Sequence, residues 1–96
     1  MRKYDIMYIL RADLEEAARK EVMDKLASII TDNGGKVEST DESMGLRELA
    51  YEIKDQTKGY YVVLKVSMDN VAINEFNRLV RINPSVLRHL IVVEHK

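Results

Sequence analysis

From Lys3 to Leu10 the chain alternates, with Tyr4, Ile6, Tyr8 and Leu10 on one side and Lys3, Asp5, Met7 and Ile9 on the other. The period of two predicts a first strand whose second face is partly apolar. Asp13 then stands where a helix N-cap belongs, with Glu16 three residues on to close a capping box. Leu14, Ala18, Val22, Leu26 and Ile29/Ile30 recur at three- and four-residue intervals, an amphipathic stripe widened by Ala17, Met23 and Ala27. Asn33-Gly34-Gly35 ends this helix, since glycine takes the left-handed conformation after a helix at little cost.

Lys36 to Ser43 is polar, and its charges suit an edge strand, where they discourage pairing with other chains. Met44-Gly45 interrupts the pattern as a bulge or kink. Alternation resumes with Leu49, Tyr51 and Ile53 on one side, Glu48, Ala50 and Glu52 on the other, and Arg47 at the end of the apolar row. Those three apolar residues are expected to serve sheet packing. Lys54 to Gly59 reads as a polar turn, and Tyr60 to Met68, dense in Tyr and Val, as the partner strand of a hairpin. Asp69 or Asn70 caps a second helix that buries Ile73, Phe76, Leu79 and Val80, and Asn83-Pro84 stops it. Val86 to Val93 is a last strand before the charged tail Glu94-His95-Lys96.

The order is β-α-β-β-α-β. Right-handed crossovers then favour an α+β, ferredoxin-like fold, a four-stranded antiparallel sheet with two helices on one face. The other face is left open. Strand parity assigns Met7, Ile9, Tyr61, Val63, His89 and Ile91 to it, an apolar patch of the kind that marks a partner surface.

Ninety-six residues are expected to make a single domain, residues 1–96. No apolar run exceeds five residues, which predicts no membrane span, and the N-terminus does not read as a signal peptide. The absence of cysteine fits a cytosolic setting and removes thiol chemistry. A net charge of −1 argues against gripping nucleic acid by bulk electrostatics. Its distribution is uneven: residues 13–70 hold thirteen acids against eight Lys/Arg, while the two ends hold seven Lys/Arg against three acids. Ends lying side by side would give an acidic molecule a basic patch.

Catalytic chemistry finds little in the residues. The two histidines, His89 and His95, lie in a strand and in the last three positions, with no cluster to make a metal site. No Gly-x-Ser-x-Gly elbow exists. Gly34-Gly35 follows a helix rather than a strand, so C-capping explains it better than phosphate binding. An acylphosphatase-like enzyme would need a glycine-rich cradle after the first strand, where this chain has Leu10-Arg11-Ala12-Asp13-Leu14. The basic-Gly-aromatic-Gly run of RNA-recognition domains is also missing, although Tyr61 is placed to stack on a base. No cofactor or small-molecule substrate is expected.

Gly45-Leu46-Arg47-Glu48-Leu49-Ala50-Tyr51-Glu52-Ile53 resembles the signature of a bacterial family, protein six of the small ribosomal subunit. The opening Met1-Arg2-Lys3-Tyr4-Asp5, the stretch Phe76-Asn77-Arg78-Leu79 and the ending Val86 to Val93 resemble it too, so the likeness spans essentially the whole chain. The resemblance implies a structural, non-enzymatic protein of the cytoplasmic ribosome. It implies binding to the central domain of small-subunit ribosomal RNA together with ribosomal protein eighteen of that subunit. The chain departs from many relatives in having Glu48 where they carry a second basic residue. On this reading Arg2, Lys3, Arg47, Lys54, Arg88 and His89 are the candidate RNA contacts, touching phosphate or sugar with little base readout. Met7, Ile9, Tyr61, Val63 and Ile91 are the candidate surface for the partner protein. The alternative is a ferredoxin-like ligand-sensing or homo-oligomerising module that uses the same open face.

Overall fold

A computed structural model describes residues 1–93; the tail residues Glu94, His95 and Lys96 lie outside the described residues. The elements run β1 (Arg2–Arg11), α1 (Glu16–Asp32), β2 (Lys36–Ile53), β3 (Gln56–Met68), α2 (Asn70–Arg81) and β4 (Val86–Val93). The four strands form one sheet in the order β2-β3-β1-β4, with every neighbouring pair antiparallel. This is the ferredoxin-like arrangement that the hydrophobic pattern predicts.

The alternation in β1 explains where the core sits. Tyr4, Ile6, Tyr8 and Leu10 are buried with Val62, Leu64, Val66 and Met68 of β3. Leu26, Ile29 and Ile30 of α1 and Ala72, Phe76 and Val80 of α2 join the same cluster, so both helices cover one face of the sheet. Burial pushes the Tyr8 phenol well above its ordinary range, so this ring stays neutral inside the core. A tie at the rim joins α1 to the hairpin: the Arg19 guanidinium lies 4.1 Å from the Tyr60 ring centre, and the Tyr60 hydroxyl donates to Glu42 Oε1 at 3.0 Å. Among the described residues no helix is long and apolar enough to cross a membrane.

Three local expectations need correction. Asp13 does not cap α1, which starts at Glu16 with no side-chain cap. Both Asp13 oxygens are instead taken by the Arg11 guanidinium, Nε and Nη2 each donating at 3.1 Å. The turn between β2 and β3 is only Lys54-Asp55, because Ile53 pairs with Gln56. Both turn residues have positive φ, 49° and 64°, the backbone of a tight two-residue hairpin turn usually made with Asn or Gly. Gln56 to Gly59 therefore belongs to β3. These residues are polar because they run past the end of β1, which stops at Arg11 opposite Gly59.

The third correction concerns β4. Tyr8 pairs with His89 and Ile6 with Ile91, which puts both on the helix-covered side, while Met7 pairs with Leu90 and Ile9 with Arg88. Residues paired across antiparallel strands share a face. Simple alternation from the buried Val86 assigns His89 and Ile91 to the open face instead. A bulge overturns it: Leu10 pairs with Val86 and Ile9 with Arg88, leaving Leu87 as an extra residue. One inserted residue exchanges the two faces for the rest of the strand.

Candidate functional site

The uncovered face of the sheet carries Met7 and Ile9 of β1, Tyr61 and Val63 of β3, and Leu90 of β4. Of the five residues expected on a partner surface, Met7, Ile9, Tyr61 and Val63 are on this face and Ile91 is not. Leu90, 54% exposed, occupies that place in β4. Asp5 shares the face, opposite Lys65 on one side and Val92 on the other. Its Oδ1 is buried and has no hydrogen-bond partner among the described residues.

The end of the β2/β3 hairpin closes one end of this face into a groove. Leu49, Tyr51 and Ile53 line it with Met7, Ile9 and Tyr61, although β2 and β4 occupy opposite edges of the sheet. The apolar row of β2 thus faces the groove and is only half covered. Two links hold the hairpin across to β4. Lys54 Nζ donates to the Val86 carbonyl at 3.2 Å, and an Arg88 guanidinium nitrogen donates to the Tyr51 hydroxyl. The same guanidinium lies 5.8 Å from the centre of the Tyr51 ring.

Cations gather at this end. Arg47 stands opposite Gly59, which in turn stands opposite Arg11, and Arg88 is one row away beside Ile9. Two strand spacings separate the Arg47 and Arg11 backbones, roughly 10 Å. Arg47 Nε donates to the Met44 carbonyl at 2.9 Å, across the bulge that Gly45 makes in β2. Among the described residues Arg47, Lys54 and Arg88 have no carboxylate within salt-bridge distance. Arg11 differs: Asp13 raises its pKa, and the Arg11 guanidinium holds the Asp13 carboxyl below the ordinary carboxylate range. Arg78 is similarly held by Glu75, at 2.8 Å.

Not every expected contact belongs to this group. Arg2 and Lys3 sit at the start of β1, seven residues from Ile9, or about 23 Å along the strand. The chain ends do adjoin, since Tyr4 pairs with Val93, but their cations separate to opposite ends of the sheet. One end holds Arg2 and Lys3; the other holds Arg88 with mid-chain Arg47 and Lys54. Local sequence could not show this, because strand pairing decides it.

His89 stands apart on the helix side. Its Nε2 lies 2.8 Å from Asn77 Oδ1, and its ring meets Phe76 edge-on at 6.3 Å. Burial, aided by the positive charge of Arg81, lowers its pKa below the ordinary 6.5. A histidine with a depressed folded pKa contributes stability that is fully present above about 6.5 and lost as pH falls through the folded value. His89→Gln is therefore expected to flatten the stability profile between pH 7.5 and 5. A wild-type His89 midpoint at or above 6.5, read by NMR titration, would contradict this.

Among the described residues no group of three or more His, Asp or Glu is arranged to hold a metal ion. The arrangement offers cations for phosphate and apolar area for a partner. A family model described as ribosomal protein S6 matches residues 3–93. The crystal structure of 30S ribosomal protein S6 from Thermotoga maritima is similar throughout, with a TM-score of 0.89 and 28% identity, covering 97% of this chain and 87% of that one.

Proposed function

Because this chain belongs to the ribosomal protein S6 family, structural and non-enzymatic components of the small ribosomal subunit, we propose that it binds small-subunit ribosomal RNA together with ribosomal protein eighteen. The observation that carries this reading is the group of Arg47, Lys54 and Arg88, exposed and free of carboxylate partners among the described residues, beside an open apolar sheet face. Such cations touch phosphate and sugar and set orientation rather than read sequence. Arg2 and Lys3, at the far end of β1, form a second and separate contact.

The division of labour follows from charge. A chain of net charge −1 has too little positive field to hold RNA tightly alone. A basic partner seated on the open face supplies the rest, and Asp5, which shares that face, suits a basic group. Met7, Tyr61, Val63 and Leu90 provide the apolar area; Ile9, expected there as well, is only 6% exposed because it already packs against Gly59. His89, bonded to Asn77 beneath the sheet, is withdrawn from the RNA contacts.

A gel shift with a fragment of the central domain of the ribosomal RNA tests the reading. The protein alone is expected to bind weakly, and addition of ribosomal protein eighteen to give a tight, salt-sensitive shift. No partner-dependent shift at moderate salt, with a stable homodimer indifferent to RNA, would favour the oligomerising module instead.

A further inference from the structure

We infer that Tyr51 is a stacking platform for one unpaired RNA base, with Arg88 and Lys54 placed for the phosphates of the same strand; this rests on the RNA-binding reading above. Tyr51 is 58% exposed, while its row neighbours Leu49 and Ile53 are half-buried in the groove. Its ring therefore contributes little to the core. Yet it is oriented, since Arg88 donates to its hydroxyl, with the guanidinium 5.8 Å from the ring centre, at the hydroxyl end. A side chain held at its tip and left uncovered on its ring is prepared to receive a flat partner.

The surrounding charge selects the class of partner. Arg88 meets the ring, Lys54 is bonded to β4 at Val86, two residues from Arg88, and Glu48, paired with Lys58, faces away from the side that Arg47 shares with Gly59. An exposed aromatic ring beside cations that have no carboxylate partner among the described residues is the combination that holds single-stranded RNA, because every base has a π-face and every nucleotide a phosphate. Tyr61, the other tyrosine of the open face, stands in the sheet between Ile9 and Gly45 and is half-buried. Of the two, Tyr51 offers the accessible ring.

The chain contains no tryptophan, so Tyr51→Trp adds a single indole reporter to it. The Tyr51→Trp chain is mixed with ribosomal protein eighteen and titrated with the central-domain RNA fragment. RNA is expected to quench the indole emission. Tyr51→Phe, which keeps the ring and loses the bond from Arg88, is expected to bind more weakly than wild type and more tightly than Tyr51→Ala. Tyr51→Ala should weaken RNA binding about tenfold or more, with affinity for the partner protein and the salt slope both unchanged. Wild-type RNA affinity in Tyr51→Ala overturns the inference and leaves the proposed function standing. Emission that changes on adding the partner and not further on adding RNA assigns the ring to the protein interface, which also overturns it. Failure of the wild-type pair to bind RNA removes both.

Discussion

Arg47→Ala combined with Arg88→Ala is expected to flatten the salt dependence of RNA binding by the protein pair, lowering the slope of log affinity against log salt by about 2, roughly one for each phosphate contact. Each hydrogen bond to a charged group is worth about 1.5–3 kcal/mol, so affinity at low salt should fall by at least about a hundredfold. Folding should be unaffected. Both side chains are exposed, neither has a carboxylate partner among the described residues, and their bonds go to a carbonyl and a tyrosine hydroxyl at the surface. Filter binding from low to moderate salt reads the slope, and thermal unfolding provides the control. A slope equal to wild type removes both residues from the interface. An unfolded variant would show that the links from hairpin to β4 carry more stability than their exposure implies.

Gly59→Ala is expected to destabilise the protein by about 1–3 kcal/mol, the usual cost of forcing extra volume into a packed site. Gly59 is buried where β3 passes the end of β1. A methyl group there would collide with Ile9 Cγ2 and lie 3.3 Å from Leu49 Cδ2. Ile9 leans into the space that the missing side chain leaves, and this draws the floor of the groove against the hairpin. For a chain of this size each kcal/mol lowers Tm by about 4–8 °C. The sharper measurement is a cycle with Ile9→Ala. That substitution alone is expected to cost about 2–5 kcal/mol. The double variant should cost less than the sum of the two, because removing the isoleucine makes room for the methyl. Strict additivity, or an unchanged Tm in Gly59→Ala, would show that the collision is relieved elsewhere.

Much of this arrangement was legible in the chain, and the parts that were not share a cause. The alternation through Tyr4, Ile6, Tyr8 and Leu10 announced a core strand, and all four residues are buried. Gly34 ends α1 with a φ of +84°, as its place after Asn33 predicted. The edge position of β2 followed from its charges. By contrast, β4 reads Val-Leu-Arg-His-Leu-Ile-Val-Val, apolar on both parities, so only its pairing with β1 could reveal the extra residue at Leu87. That one bulge moved His89 and Ile91 beneath the helices and brought Leu90 and Arg88 onto the open face. The apolar row at Leu49, Tyr51 and Ile53 was visible, but its use was not. A local pattern cannot tell that β1 ends before the row begins. The same holds for Arg2 and Lys3, near the chain end in sequence and a sheet length away from Arg88 in space. Asp13 is drawn away from the cap position by Arg11, a residue outside the helix pattern.

The unequal strand lengths divide the molecule energetically. β2 and β3 run for 18 and 13 residues, while β1 and β4 stop after 10 and 8. Past Gly59 the sheet is a two-stranded ribbon, turning through two non-glycine residues in the left-handed region. Such a ribbon is marginal by itself and is expected to open below the free energy that unfolds the core. Substitutions at its exposed positions therefore draw little on the stability of the whole. Its residues are open to change for the sake of what they touch, while those beneath the helices answer chiefly to the fold.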